Sequence, residues 1–382
     1  MTTRFELCGV DAMESERQPT RRGFLAAATL IASAAPFAAC SSSNNAYTQA
    51  VKGTWRPFDS RISGSDALQR ELVRYATLAP SSHNTQCWRF KLEKNLISIL
   101  PDFARRCPAV DPDDHHLFVS LGCATENLVQ AGLAHGLRSD VRFDPATGAG
   151  VRVAFQRAKA VISPLFGAIP MRQCTRGAYD GTPIQQTELR ALEVAGQGQG
   201  VRILLLTGRS QMERVLEYVV QGNTRQMNDP AFMAELRKWI RFNDGDAIAT
   251  GDGLSSHASG NPQVPRWLGN LALTLSFTPN SENDKYAKFI RSSAGIAVFV
   301  SDASDHQHWV QTGRCYERFV LQATALGIRT AMVNQPVEVS SLRTDFARSL
   351  GLGHRRPDLV VRLGRGLEMP RSLRRPVNAV IV

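Results

Sequence analysis

The residues best equipped for chemistry lie in short polar runs, and the densest is Leu78–Phe90, LAPSSHNTQCWRF. A surface turn needs only one or two Pro, Ser or Asn residues to redirect the chain. Here Pro80 is followed by Ser81, Ser82, His83, Asn84, Thr85 and Gln86, six hydrogen-bonding side chains in succession, and then by an apolar run beginning near Trp88. A turn of this kind belongs at the edge of something buried. The second resource is arginine: 45 Lys+Arg stand against 34 Asp+Glu, a net charge of +11, and the excess is dispersed Arg. The guanidinium fork pairs two oxygens at once, so dispersed Arg suits anionic ligands such as phosphates. Nucleic acid is not expected as a partner, because zinc-finger spacing, an RNA-recognition strand signature and a basic helix are all missing.

Metal chemistry is not expected either. Beyond Cys8 and Cys40, the cysteines are Cys87, Cys107, Cys123, Cys174 and Cys315, with no CxxC pair and no ligand spacing. Five is odd, so at least one thiol is free, and most read as small buried apolar residues. His115-His116 follows Asp113-Asp114. Adjacent helical residues do not share a face, so this run reads as a helix start with acids at the positive end.

The elements that must carry these residues come from 382 positions, 43% apolar and 21% charged, enough for one large or two modest globular domains. Residues 20–40 read TRRGFLAAATLIASAAPFAAC. The Ala-rich run is too short and weakly apolar for a membrane span. Thr20-Arg21-Arg22-Gly23-Phe24-Leu25 resembles the twin-arginine export motif, and Phe37-Ala38-Ala39-Cys40 resembles a lipoprotein processing box. The expectation is a signal peptide over 1–40, a tether over 41–60, and an exported, periplasmic or cell-envelope protein with a possible membrane tether through lipidated Cys40. Met1 and Met13 are both open as the start. Twin-arginine export carries folded proteins, which suits one loaded with a cofactor in the cytoplasm.

An internal repeat organises the remainder. Phe118–Ser139 aligns without a gap on Trp309–Thr330 at an offset of 191 residues, matching Val119/Val310, Gly122/Gly313, Glu126/Glu317, Val129/Val320, Ala134/Ala325, Gly136/Gly327 and Arg138/Arg329. Both copies have helical spacing and a closing Gly, and each follows a strand-like run, Leu96–Leu100 or Gly295–Asp302. The spacing predicts two tandem halves, 61–165 and 166–382, about a pseudo-twofold axis, a homodimer fused into one chain. Residues 242–265, rich in Gly, Ser and Asp without an apolar period, read as an insert acting as a lid or flap.

With these pieces placed, the chain resembles the nitroreductase family of flavin oxidoreductases, in particular its duplicated single-chain Acg branch. APSSHNTQCWRF is similar to the family's PSxxNxQPW turn, with Cys87 where Pro is usual. MRQCTR, residues 171–176, is similar to the RRSxR motif, and Val361–Val377 to the closing LGxP…R[KR]P segment. The resemblance implies an α+β fold with mixed, mainly antiparallel sheets flanked by helices, and FMN as cofactor. It also implies one FMN site per chain, since the first half has the turn while the second has the arginine motif and basic tail.

The cofactor-binding residues implied are Pro80, Ser81, Ser82, Asn84, Gln86, Arg172, Cys174, Arg176, Thr330, Met332, Arg374 and Arg375. Arg172, Arg176, Arg374 and Arg375 would meet the phosphate, or Arg176 the flavin N1/O2 edge. Ser81, Ser82 and Asn84 would meet ribityl or phosphate oxygens, and Gln86 the ring edge. Thr330 and Met332 would contribute backbone alone. Cys174 replaces a phosphate-holding Ser, and a thiol is the weaker donor. Bland alternatives stay open: Arg374 and Arg375 as a solvated tail, Arg172 and Arg176 paired with Asp180 or other acids. His83 occupies a variable slot. No dedicated catalytic side chain is implied, because the flavin N5 carries the hydride. The expected function is hydride transfer from an unidentified reduced donor to a small quinone or nitroaromatic acceptor. The alternative is a flavin-sequestering protein with a lidded site.

Overall fold

In the computed structural model, the described residues are 46–59, 62 and 64–382. The expected export motif, the processing box and Cys40 lie outside them. A helix at 46–54 (α1) leads into α2, Ser65–Thr77, which buries Leu72, Val73, Tyr75 and Ala76. A β-hairpin follows, β1 (Trp88–Glu93) and β2 (Leu96–Pro101). The long helix α3 (His115–Ala134) then leads into β3 (Leu137–Asp144) and β4 (Gly150–Arg157). The first sheet is antiparallel throughout, in the order β1-β2-β4-β3.

After α4 (Pro164–Ala168) and α5 (Gln186–Gly196) comes β5 (Val201–Leu206). Residues 207–294 then carry α6 (Arg209–Met227), α7 (Pro230–Trp239), α8 (Asp244–Thr250), α9 (Ser256–Ser259), α10 (Arg266–Leu275) and α11 (Pro279–Arg291). Two two-residue strands, β6 (Ile240–Arg241) and β7 (Leu254–Ser255), pair in parallel within this stretch. Then β8 (Gly295–Ser301), α12 (His306–Ala325), β9 (Arg329–Met332) and β10 (Pro357–Gly364) complete the second antiparallel sheet, β5-β8-β10-β9. Its central strand, GIAVFVS, is buried at every position, which is why it reads as an unbroken apolar run. At the first sheet's edge, β3 alternates partly buried and exposed residues, the period of a strand with one wet face.

The two sheets share one strand order. In each, the second strand feeds a 20-residue helix, α3 or α12, that closes on a left-handed glycine, Gly136 (φ 74°) or Gly327 (φ 70°), before the edge strand. The fold class is therefore the expected α+β, with antiparallel sheets flanked by helices. The halves share a core, although a second cluster from Met212 and Val219 to Phe346 and Val360 lies within the second half alone. One apolar cluster runs from Leu72 and Trp88 through Phe118 and Leu128 to Phe299, Phe319 and Val361.

Several expectations need correction. The 41–60 stretch is not a plain tether, since 46–54 is helical and Tyr47 and Trp55 are buried against the body. Residue 165 falls within α4, whose Phe166 and Ala168 join the common core. The 242–265 insert is folded: its polar residues are helix caps, with Asn243 accepting from the Asp246 amide and Gly251 and Gly260 taking left-handed C-terminal positions. At the start of α3, Asp111 rather than Asp113 or Asp114 accepts from helix amides, those of His116 (3.0 Å) and Leu117 (2.9 Å). Asp113 pairs with Arg356 and Asp114 with Arg106. His115 and His116 are both buried, and their rings approach to 4.7 Å between centroids, so adjacency does not keep them apart.

Candidate active site

A cleft forms where four segments converge: the turn after α2, residues 172–176, residues 253–259 of the insert, and the tail segment 370–374, with Trp55 beside them. The turn is conformationally expensive. His83, Asn84 and Gln86 all take positive φ (50°, 54° and 53°), a region that costs a non-glycine residue about 1 kcal/mol. Its neighbours over-determine that shape. The Asn84 amide donates to the carbonyls of Gly253 (3.1 Å) and Leu373 (3.2 Å) while its oxygen accepts from Arg374 (3.0 Å). The Gln86 amide donates to Gly251 O (2.8 Å), and its oxygen accepts from the Arg375 amide (2.8 Å). Ser81 Oγ accepts from the Gln86 backbone N–H at 2.9 Å. One polar turn thus cross-links the insert and the tail.

Buried positive charge dominates the floor. Arg374 donates to the carbonyls of Thr77 (2.7 Å), Leu78 (3.2 Å), Ala79 (3.2 Å) and Leu373 (3.0 Å) and to Ser372 Oγ (2.9 Å). Burial, with Arg172 adding repulsion, pulls its guanidinium down to about 9. Arg172 donates to Leu78 O at 3.0 Å, while its Nε makes no hydrogen bond and lies 3.5 Å from Glu317. Burial lifts the Glu317 carboxyl to about 7, against the opposing pull of Arg172. Two buried cations with one acid only partly ionised near pH 7 leave net positive potential, which a bound anion would neutralise. Arg176, at the exposed rim, donates to Ser259 Oγ of the insert at 3.1 Å. His83 is held down to about 4 by burial and by Arg176, so it is neutral near pH 7.

Of the residues singled out from the sequence, Pro80, Ser81, Asn84, Arg172, Cys174, Arg176 and Arg374 line this one cleft. Ser82, Gln86, Thr330, Met332 and Arg375 do not. Gln86 is wholly buried with its amide spent on backbone, and Arg375 donates to Ala379 O at 2.7 Å. The Thr330 carbonyl accepts from the Thr175 amide at 2.9 Å, which carries residues 174–175 along β9. Arg374 is no solvated tail residue; Arg172 does lie beside an acid, Glu317 instead of Asp180, while Arg176 bonds Ser259. Trp55, Gln173, Leu254, Ser255, Ala258 and Pro370 also line the cleft. Gln173 sits inside the 171–176 motif and Pro370 inside the closing segment, the insert's Gly/Ser-rich composition hinted at Leu254, Ser255 and Ala258, and nothing marked Trp55.

Fold and site together define an α+β protein with two matching sheets and a cationic cleft roofed by an insert. No family model matches the chain. It is 23% identical over 304 residues, 77% of this chain and 84% of the other, to a Mycobacterium tuberculosis protein named "Putative NAD(P)H nitroreductase Rv3131". It is 22% identical over 325 residues, 81% of this chain and 94% of the other, to "Putative NAD(P)H nitroreductase acg" of the same organism. Among solved structures, the FMN-dependent nitroreductase NfnB from Mycobacterium smegmatis in complex with NADPH overlaps 54% of this chain and 92% of its own, at 15% identity and TM-score 0.36. A nitroreductase with bound FMN from Bacteroides fragilis overlaps 56% and 95%, at 15% identity and TM-score 0.35.

Proposed function

We propose that the chain is a flavoprotein of the nitroreductase type, with FMN in the cleft between the 80–84 turn, residues 172–176, the insert and the tail. One observation carries the reading: the Pro-Ser-Ser-His-Asn turn, the arginine motif and the tail Arg374, far apart in sequence, line the same cleft. The names of its relatives, similar over about three quarters of the chain, point the same way. The residues fit the group. Arg172, with an unbonded Nε, and the rim residue Arg176 suit a phosphate, while Arg374, its donors taken by backbone carbonyls, Asn84 and Ser372, adds positive field; the Ser81, Ser255 and Ser259 hydroxyls suit a polyol, and Trp55, Pro80, Leu254 and Pro370 a flat ring. Bound FMN supplies two-electron hydride transfer. The chain's own residues hold it, set the local positive field and exclude water.

The reaction proposed is reduction of a small quinone or nitroaromatic by a reduced donor, NAD(P)H being the first to try given the relatives' names. We assign export by the twin-arginine route on Arg21 and Arg22, with Cys40 as lipid anchor. Substituting both arginines with Lys should retain the protein in the cytoplasm. A second reading, flavin sequestration without turnover, draws on Gly253–Ser259 lining the cleft from the insert side. Steady-state oxidation of NADH and NADPH by FMN-loaded protein, with quinone and nitroaromatic acceptors, separates the two. Acceptor-dependent turnover supports the reductase. A loaded flavin that neither donor reduces sinks it.

A further inference from the structure

Helix α10, RWLGNLALTL, presents an apolar stripe to solvent. Trp267 is 70% exposed, Leu271 47% and Leu275 71%, spaced four residues apart on one face, while Gly269 and Leu273 are buried on the opposite side. Gly269 seats α10 on the body, since a Cβ there would overlap the Phe242 ring. Lone exposed apolar residues are ordinary, but a Trp and two Leu in register on one surface helix are a docking face. From Gly253 to Ser281 there is no acidic residue, and Arg266 opens the helix. Asp252, just before this stretch, is neutralised by Arg105 and Arg241.

We infer that α10 is a lipid-surface docking helix, laying Trp267, Leu271 and Leu275 into the headgroup–acyl boundary of an anionic bilayer. Trp and Leu on one face of a surface helix, opened by Arg266 in a sequence stretch without acids, is the chemistry such a boundary takes. The chain outside the described residues also ends close to this region. It joins at Ala46, and Tyr47 of α1 stacks at 4.4 Å between ring centroids on His257 of α9, nine residues before α10 begins. Cys40 precedes Ala46 by six residues in sequence, so the acyl anchor proposed there would bring this region toward the membrane. A second copy of the chain is the poorer occupant. Three side chains fall well short of the roughly 800 Å² per partner of a stable interface, and two copies at +11 repel. The inference does not depend on the flavin reading.

Tryptophan emission tests it directly. The chain has five Trp, and Trp55, Trp88, Trp239 and Trp309 are at most 7% exposed, so a solvent response reports Trp267. The full chain is mixed with vesicles of phosphatidylglycerol and phosphatidylethanolamine, with and without brominated acyl chains, and with phosphatidylcholine vesicles as control. The expected result is a blue shift and bromine quenching on the anionic vesicles. The triple variant Trp267→Ser/Leu271→Ser/Leu275→Ser, all on the exposed face and so expected to fold, should lose at least roughly tenfold in vesicle affinity. Its circular dichroism and thermal unfolding should match the parent. Trp267→Phe should keep vesicle binding and lose the emission change. Emission unmoved by vesicles would overturn the inference, as would equal binding by the triple variant, which would assign binding to residues 1–45. A concentration-dependent dimer abolished by the triple variant would also overturn it, giving the face to a second copy.

Discussion

Gly122 and Gly313 stand against each other where α3 and α12 cross, and the contact is reciprocal. A Cβ on Gly122 would overlap the Val310 carbonyl oxygen and fall 2.9 Å from Gly313 Cα. One on Gly313 would overlap the Val119 carbonyl oxygen and fall 3.0 Å from Gly122 Cα. Both pairs, 122/313 and 119/310, are separated by the 191-residue offset of the sequence repeat. Mutual contact of equivalent residues is the mark of an isologous interface. Here it lies within one chain.

Gly122→Ala or Gly313→Ala should therefore destabilise the protein by about 2–4 kcal/mol. The methyl must push two helix backbones apart, and this outweighs the roughly 1 kcal/mol that Ala gains over Gly in helix propensity. Urea unfolding measures it. A neutral or stabilising result would mean that the crossing can relax and that the close approach is not required.

Much of this frame was legible beforehand. Gly136 and Gly327 marked the ends of α3 and α12 because a left-handed C-terminal position favours glycine. Strands β2 and β8 read as apolar runs because their central positions are buried. The turn announced itself by composition, and the arginine motif and Arg374 through their resemblance to the family's motifs. What stayed hidden was long-range. Nothing near Trp55 says that it will meet residues 370–374, and nothing in Gln86 says that its amide will be spent on Gly251 and Arg375. His115 and His116 misled because helical spacing describes Cα positions, while buried rings at a helix start can turn toward each other.

Glu317 should impose a pH dependence on stability. Its folded value, about 7, lies above that of an unfolded glutamate, so between roughly pH 4.5 and 7 the folded state holds the extra proton. Its contribution is stabilising below that window and is lost as pH rises through it. Glu317→Gln removes this component, so the variant should gain stability relative to the parent as pH rises from 5 to 8. The gain is on the order of 3 kcal/mol or less. A difference between the two proteins that does not vary with pH would show that the carboxyl titrates normally.

Arg176 and Arg374 should separate binding from folding. Arg176 is a rim residue whose hydrogen bond runs to Ser259, so Arg176→Ala should unfold like the parent while weakening FMN binding roughly tenfold. Arg374→Ala leaves the carbonyls of Thr77, Leu78 and Ala79 without its donors and should cost several kcal/mol, on the order of 1 per lost bond. Thermal unfolding and flavin titration of both variants check this. Equal stability losses would contradict the division of roles.

The roof of the cleft should loosen when α1 lets go. Tyr47 stacks on His257 and donates to Arg371 O at 2.8 Å, joining α1 to both the insert and the tail. Tyr47→Ala should speed reduction of bound flavin by dithionite at least roughly threefold, since about 1 kcal/mol of closure free energy is removed. Unchanged kinetics would show that the insert does not gate access.

The central claim is a flavin in the cationic cleft, and the visible absorbance spectrum of the purified protein tests it most directly. The chromophore should be released by denaturation, identified and counted against protein. The account predicts a flavin spectrum yielding FMN at close to one per chain, lost or diminished in Arg176→Ala. A colourless protein that also fails to take up added FMN would contradict it.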